Sequence, residues 1–193
     1  MMIGLYRHVI ENDRITRSCA GPSIAPGREI AGKTVGIIGM GAIGQRTAAL
    51  AQAFGCRVIA WNRTPRQVAG VKFVDKETLL KESDIVALHI ALNDETRNFL
   101  TAKDFAMMKP SAVIVNAARG PVVNSADLAA ALKNGLIAGA ALDVYDGEPP
   151  LKSDNPLLTA PNTMLLPHIG FATKEAFELR LGIVVNNVEK FIS

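Results

Sequence analysis

The chain has 193 residues, of which 49% are apolar, 20% charged and 5% aromatic, and this composition is typical of a folded globular domain. Its formal net charge is +3 without a basic cluster, so nucleic acid is not an expected partner. No apolar run approaches the roughly 20 residues that span a bilayer, and the N-terminus has no signal-peptide block. We therefore expect a cytoplasmic protein that has no membrane partner. Cys19 and Cys56 are far apart in the sequence, which indicates neither a disulfide framework nor a metal site.

Short β-branched runs alternate with helical stretches from Lys33 onward, and this rhythm predicts an α/β fold with a parallel sheet. The expected strands are 34–38, 57–61, 71–74, 85–90, 112–116, 138–144 and 163–166. Most of these runs are apolar throughout, as expected of strands that helices cover on both faces. The predicted fold is a Rossmann-type doubly wound sheet of about seven strands.

Three helices are expected between the strands, over 42–54, 101–108 and 126–134. Thr101 and Asp104 form a capping signal for the second helix. Ser125 is the expected cap of the third, and Gly135 can supply its left-handed end.

The two ends of the chain lie outside this rhythm. Residues 1–19 are predicted to be helical, and 20–32 form a linker that contains glycine and proline. After Thr173 a long helix carries a stripe of apolar side chains, Phe177, Leu181, Val184, Val188 and Phe191. This stripe requires a packing partner, which is either the chain's own sheet or another surface.

A glycine motif, Gly39-x-Gly41-x-x-Gly44, lies between the first predicted strand and the first predicted helix of the sheet. In this order of elements, the glycines allow a tight turn, a close approach of backbone to pyrophosphate, and close packing of helix on strand. Ala42 and Ile43 belong to the same turn, where the helix N-terminus offers free N–H groups to an anion. The motif predicts a dinucleotide site.

The residues that follow the second strand bear on which dinucleotide binds. An acidic residue here would accept hydrogen bonds from the ribose hydroxyls, but the chain has Asn62, Arg63 and Thr64, followed by Arg66. A guanidinium can grip phosphate oxygens in a bidentate way, which favours NADP over NAD. The alternative is that these arginines are solvated loop residues.

Three polar residues stand where predicted strands end: Arg119, Glu148 and His168. Ligands of open α/β sheets bind beyond the carboxyl ends of the strands, so these side chains could converge on one crevice with the glycine turn. Taken singly, each of them could equally be a structural residue.

Together these features resemble the D-isomer-specific 2-hydroxyacid dehydrogenases, of the glyoxylate/hydroxypyruvate reductase type. The matching stretches are 30–45, 83–89, 95–98, 115–120, 139–144, 147–149 and 167–170. The resemblance implies that Arg119, Glu148 and His168 are catalytic and that Asp143 lies near the nicotinamide. His89 and Ala117 complete the cofactor-binding set, and no metal is implied.

The implied activity is that of an NADP-preferring oxidoreductase acting on a small 2-keto or 2-hydroxy acid. His168 would exchange the hydroxyl proton, because imidazole changes charge near neutral pH. Glu148 would fix its tautomer and favour the imidazolium, and Arg119 would hold the substrate carboxylate. An alternative from another class is a catalytically incomplete dinucleotide-sensing or scaffold module of the same fold.

The resemblance also implies a domain organisation. Residues 1–193 would be an NAD(P)-binding domain, with 1–19 as an inter-domain or dimer helix and 174–193 as a helix that returns to a substrate domain. Most of that substrate domain is expected to be absent from this chain. The exposed stripe of the last helix and the residues Met2, Leu5 and Val9 then predict a homodimer.

Overall fold

The computed structural model describes residues 1–19, 26–64, 66–147 and 151–192. These residues form one sheet of seven strands: β1 (Thr34–Ile38), β2 (Arg57–Trp61), β3 (Val71–Phe73), β4 (Ile85–Leu88), β5 (Val113–Asn116), β6 (Gly139–Leu142) and β7 (Thr163–Leu165). The strand order is β3-β2-β1-β4-β5-β6-β7, and every neighbouring pair is parallel. The predicted Rossmann-type α/β fold is confirmed.

The helices are α1 (Met2–Tyr6), α2 (Val9–Arg17), α3 (Ala42–Ala53), α4 (Lys76–Glu82), α5 (Ala102–Phe105), α6 (Ser125–Lys133) and α7 (Lys174–Ile192). Single turns of 3-10 helix cover Gly120–Val122 and Pro156–Thr159. Among the described residues, no helix is long and apolar enough to cross a membrane.

Two helix boundaries differ from the prediction. The capping box of Thr101 and Asp104 is present, but α5 ends at Phe105 and the chain continues to Met108 in turns. The cap of α6 is Asn124, whose Oδ1 accepts a hydrogen bond from the backbone N–H of Asp127 at 3.0 Å. Ser125, the predicted cap, is already the first helical residue because Asn124 satisfies the free N–H first.

Apolar strand residues pack on both faces of the sheet, as their composition predicts. Alternate residues of a strand point to opposite faces. In β1, Val35 and Ile37 accordingly belong to one buried cluster and Ile38 to the other. The sheet is therefore the middle layer of the fold. Polar side chains are found instead where the strands end.

The N-terminal segment is helical as predicted, but it is broken at His8, which adopts a left-handed conformation with φ of 50°. The prediction that Leu5 is uncovered is wrong: Leu5 and Tyr6 are buried against the cluster that contains Val35. The Tyr6 hydroxyl donates to the Asp84 carbonyl at 3.3 Å, and burial raises the pKa of Tyr6 to about 12. Only part of the proposed N-terminal apolar stripe, such as Val9, remains exposed.

The C-terminal helix α7 does not lie on the sheet, so that alternative is wrong. None of its residues is buried. Exposed apolar side chains extend beyond the predicted stripe, since Leu179 and Ile183 are as open as Leu181 and Val184. Its start is held by contacts to Phe171, which the ring of Phe177 meets edge-on with centroids 5.9 Å apart.

Candidate functional site

The three glycines of the motif adopt the geometry that their order predicts. Gly39 has a φ of 101°, and a Cβ there would lie 2.7 Å from the backbone carbonyl carbon of His89. A Cβ on Gly44 would lie 2.1 Å from the carbonyl oxygen of Gly39, so the helix packs directly on the turn. A Cβ on Gly41 would meet no atom within 4 Å. Gly41 thus faces open space at the start of α3, where no side chain caps the helix.

This geometry fits the pyrophosphate of a dinucleotide. The N-terminal N–H groups of α3 are positioned to interact with an anion, and Gly41 lets that anion approach the backbone closely. Ala42 and Ile43, the first residues of α3, belong to this turn as predicted.

The glycine turn opens into two adjoining clefts at the point where the strand order reverses, between β1 and β4. The first cleft, of about 530 Å³, is lined by Gly39, Gly41, Trp61, Asn62, Arg63, Thr64, Arg66 and Glu95, among others. The second, of about 510 Å³, is lined by Ile43, His89, Ala117, Ala118 and Arg119, among others. Both clefts share His89, Ile90 and Ala91. The two spaces therefore form one crevice beyond the carboxyl ends of the strands.

Asn62 braces the loop that ends β2. Its Oδ1 accepts from the backbone N–H of Met40 at 3.1 Å, and its Nδ2 donates to the carbonyl of Thr64 at 2.6 Å. The side chain is therefore engaged by the backbone of the glycine turn on one side and of the arginine loop on the other. Asn62 lines the first cleft, and its hydrogen bonds hold the backbone next to Arg63.

Arg63 forms an ion pair that the sequence analysis did not anticipate. Its Nη1 lies 2.7 Å from Oε2 of Glu95, which comes from the loop after β4. Both side chains are more than two-thirds exposed, at 77% and 71%. Only the tertiary structure brings these residues together, because 32 positions separate them in the chain.

His89 lies at the junction of the two clefts. Among the described residues, its Nε2 is buried and has no hydrogen-bond partner. Burial lowers the pKa of His89 below its usual value, which keeps the imidazole neutral near pH 7.

Arg119 follows β5 and lines the second cleft. Its Nη1 donates to the carbonyl of Ala118 at 2.6 Å, and its own carbonyl accepts from Nδ2 of Asn116 at 3.0 Å. The buried Asn116 also accepts from the N–H of Ala118 at 3.0 Å, so one amide side chain holds both ends of this turn. Sequence reasoning missed Asn116, although a polar residue at the end of an apolar strand is a usable signal.

Asp143 is 2% exposed and fastens the loop that carries His168. Its Oδ1 accepts from the N–H of Ile169 at 2.9 Å and its Oδ2 from the N–H of Gly170 at 2.7 Å. His168 itself has a positive φ of 59°. Asp143 therefore stabilises the backbone turn immediately after the histidine.

A second connection joins the same loops. The Tyr145 hydroxyl lies 3.1 Å from the Leu142 carbonyl and 3.0 Å from the Leu166 carbonyl, across the ends of β6 and β7. A Cβ on Gly120 would lie 1.9 Å from the carbonyl carbon of Tyr145, so the loop after β5 packs directly on this tyrosine. The loops after β5, β6 and β7 are thus connected to one another at the carboxyl ends of these strands. Arg119 and His168 lie on the first and the last of these loops.

Glu148, the third predicted catalytic residue, lies outside the described residues. In the part of the chain that the structure describes, no group of three or more His, Cys, Asp or Glu residues is placed to hold a metal ion.

Comparison with known sequences identifies the family. Residues 1–170 match the D-isomer specific 2-hydroxyacid dehydrogenase, NAD binding domain. The chain belongs to this family. The members of this family that are similar to the chain include dehydrogenases and reductases.

Individual relatives agree with this assignment. The glyoxylate reductase of Thermococcus litoralis is 39% identical over 203 residues, which cover 99% of this chain and 61% of the relative. The crystal structure of a glyoxylate reductase from Paecilomyes thermophila superposes with a TM-score of 0.90 at 38% identity, covering 100% of this chain and 59% of that protein. An acyclic imino acid reductase, Bsp5, in complex with NADPH and D-Arg, gives a TM-score of 0.89 at 34% identity, covering 100% and 62%. This member of the 2-hydroxyacid dehydrogenase family spans about three-fifths of the length of the relatives it matches.

Proposed function

We propose that this chain is the cofactor-binding part of an oxidoreductase that transfers hydride between a nicotinamide and C2 of a small 2-hydroxy or 2-keto acid. The observation that carries the proposal is the continuous crevice from the open Gly41 turn to Arg119. The glyoxylate reductase relative supports a small 2-keto acid such as glyoxylate or hydroxypyruvate as the substrate.

The chemistry is divided among three side chains. A bound nicotinamide supplies or accepts the hydride. His168 donates a proton to the carbonyl oxygen of the keto acid, or removes it from the hydroxyl in the reverse direction. Arg119 holds the substrate carboxylate through its planar guanidinium, and Glu148 orients the imidazole and favours its protonated form.

The remaining predicted residues bind the cofactor. Gly39, Gly41 and Gly44 form the pyrophosphate turn, and His89 and Ala117 line the crevice beyond it. Asp143 acts on the nicotinamide end chiefly by holding the His168 loop, because both of its carboxylate oxygens accept backbone N–H groups of that loop.

The preferred cofactor in this proposal is NADP, with NAD as the weaker ligand. Arg63, Thr64 and Arg66 line the first cleft where β2 ends, and the neighbouring Asn62 carries no charge that would repel a 2′-phosphate. Similar solved structures contain NADPH in one case and NAD in another, so the preference rests on the residues of this chain that line the first cleft.

Titration of the chain with NADPH and NADH tests the cofactor proposal. NADPH should bind more tightly, and Arg63→Ala should weaken NADPH binding by about one to two orders of magnitude because a charge-assisted hydrogen bond is lost. NADH binding should be unchanged. Arg46→Ala is the matched control, because this exposed arginine on α3 does not line the first cleft. Equal affinities of the unaltered chain for the two cofactors would contradict the preference.

The catalytic proposal is tested by joining the chain to the substrate domain of a relative and following NADPH oxidation by glyoxylate. His168→Ala should then lower turnover by about 10²–10⁴-fold, the range expected for loss of a general acid. NADPH affinity should remain unchanged, which separates loss of chemistry from loss of folding. Tight NADPH binding without turnover in the joined protein would favour the dinucleotide-sensing or scaffold alternative.

We further propose that the chain forms a homodimer that works in the cytoplasm and uses α7 as part of its interface. The helix exposes apolar residues on more than one side, with Phe191 90% and Leu181 65% open to solvent. Such a surface on a folded domain indicates a packing partner. In the full domain arrangement, 1–19 and 174–193 are the segments that contact a second subunit or a substrate domain.

A further inference from the structure

The adenosine end of the crevice contains an acidic side chain opposite its arginine. Oε2 of Glu95 lies 2.7 Å from Nη1 of Arg63, and both residues line the first cleft. The end of β2, where an acidic residue would favour NAD, carries the neutral Asn62. A carboxylate nevertheless reaches this region from a different loop, the one that follows β4.

The loop that carries Glu95 is held by its own hydrogen bonds. The N–H of Asn93 donates to Oγ1 of Thr96 at 2.8 Å, and the N–H of Thr96 donates to Oδ1 of Asn93 at 3.0 Å. Oγ1 of Thr96 also lies 2.7 Å from the carbonyl of Ala91, which ties the turn to the floor of the crevice. Glu95 therefore extends from a constrained turn.

The position of Arg63 is constrained as well. Asn62 connects the backbone of Met40 to that of Thr64, so the segment on both sides of Arg63 has fixed anchors. Two constrained loops hold the guanidinium and the carboxylate within contact distance, across the space that a 2′-phosphate would enter.

A carboxylate in this position acts selectively against one cofactor. It pairs with the guanidinium that the 2′-phosphate requires, and it repels the phosphate itself. Neither effect applies to NADH, whose ribose hydroxyl can donate a hydrogen bond to the carboxylate. The charge of Glu95 therefore changes the relative affinity for the two cofactors without contacting any reacting atom.

We propose that Glu95 is a specificity-determining residue that competes with the 2′-phosphate for Arg63 and so limits the preference for NADPH. This inference rests on the proposed binding of a nicotinamide dinucleotide in the crevice. The ratio of the affinities for NADPH and NADH then depends on both the loop after β2 and the loop after β4, and not on the end of β2 alone.

The test is a fluorescence titration of the Glu95→Gln variant with NADPH and with NADH. The amide keeps the size of the side chain but removes its charge. NADPH should bind the variant about threefold to tenfold more tightly than it binds the unaltered chain. A gain of this size is expected when an exposed ion pair and one like-charge contact are both removed. NADH should bind no more tightly than before. The gain for NADPH should shrink as salt is added, because both interactions are exposed to solvent.

Two further variants separate the mechanism from general electrostatics. Asp94→Asn removes the same charge from the neighbouring residue, which does not line the first cleft, and should leave NADPH affinity nearly unchanged. In the Arg63→Ala background, Glu95→Gln should lose the part of its effect that comes from releasing the guanidinium and keep only the gain from removing the like charge near the phosphate.

The outcomes distinguish this inference from the proposed function. If Arg63→Ala weakens NADPH binding but Glu95→Gln does not strengthen it, the role of Glu95 is wrong and the cofactor proposal stands. If Glu95→Gln strengthens both cofactors equally, or acts fully in the absence of Arg63, competition for the guanidinium is also wrong. If neither cofactor binds the unaltered chain, both proposals are wrong.

Discussion

At the scale of single residues, the backbone of the His168 loop is held in place by the buried side chain of Asp143. His168 adopts a φ of 59°, a conformation that costs a non-glycine residue on the order of 1 kcal/mol or more. The carboxylate of Asp143 accepts hydrogen bonds from the two backbone N–H groups that follow His168. The hydrogen bonds to Asp143 therefore offset the strain at His168.

Asp143→Asn should destabilise this arrangement. An asparagine can accept from only one of the two N–H groups and would point its own amide protons at the other. Loss of a buried charge-assisted acceptor should lower the free energy of unfolding by about 1–3 kcal/mol. Amide hydrogen exchange should accelerate at Ile169 and Gly170, which identifies the loop as the part that loosens.

Asp146→Asn provides the matched control, since Asp146 is an exposed residue only three positions away. Its unfolding free energy and exchange pattern should equal those of the unaltered chain. Equal stability of the Asp143→Asn variant would show that the two hydrogen bonds contribute nothing measurable.

At the scale of elements, helices and strands follow local signals except at their ends. β4 was expected to reach Ile90 but ends at Leu88, because the chain turns into the crevice there while its composition remains apolar. The helix at 42–53 and the left-handed Gly135 agree with the sequence signals within one residue. The end of a helix or strand depends on which polar group nearby accepts or donates the terminal backbone hydrogen bond. Several suitable polar groups often lie within two residues of one another in the sequence.

The helix α7 is an element that buries none of its residues against the rest of the described chain. If the proposed homodimer uses it, Val184→Glu should weaken association by about tenfold or more, since a buried valine contributes roughly 1.5–3 kcal/mol. The unfolding free energy of the individual chain should change little, because Val184 is 57% exposed and touches no core.

Light scattering and sedimentation at micromolar concentrations measure this association. Asn186→Glu adds the same charge on the side of the helix opposite Val184 and should weaken association less than Val184→Glu does. A monomeric unaltered chain at these concentrations would contradict the homodimer proposal.

At the scale of the whole molecule, the crevice is a property of topology. The strand order reverses between β1 and β4, so the loops after these strands diverge and leave a space at that edge of the sheet. Gly39 and His89 stand on the two sides of this point. Parallel strands place all of their carboxyl ends at the same edge of the sheet. Arg63 and Glu95 are far apart in the sequence and meet at this edge for that reason.

The α/β class, the seven strands and the glycine turn could be predicted from the sequence, because apolar periodicity and glycine spacing are local signals that a single segment carries. Arg119 and His168 could also be singled out, since polar residues at the ends of apolar runs stand out in one dimension, whereas Asp143 was indicated only by the family resemblance. Three features are visible only in the folded chain: Leu5 is buried, Glu95 pairs with Arg63, and Asp143 holds the His168 loop. These contacts join distant segments, and a side chain of a given type can serve several partners until the fold places one of them within hydrogen-bond distance.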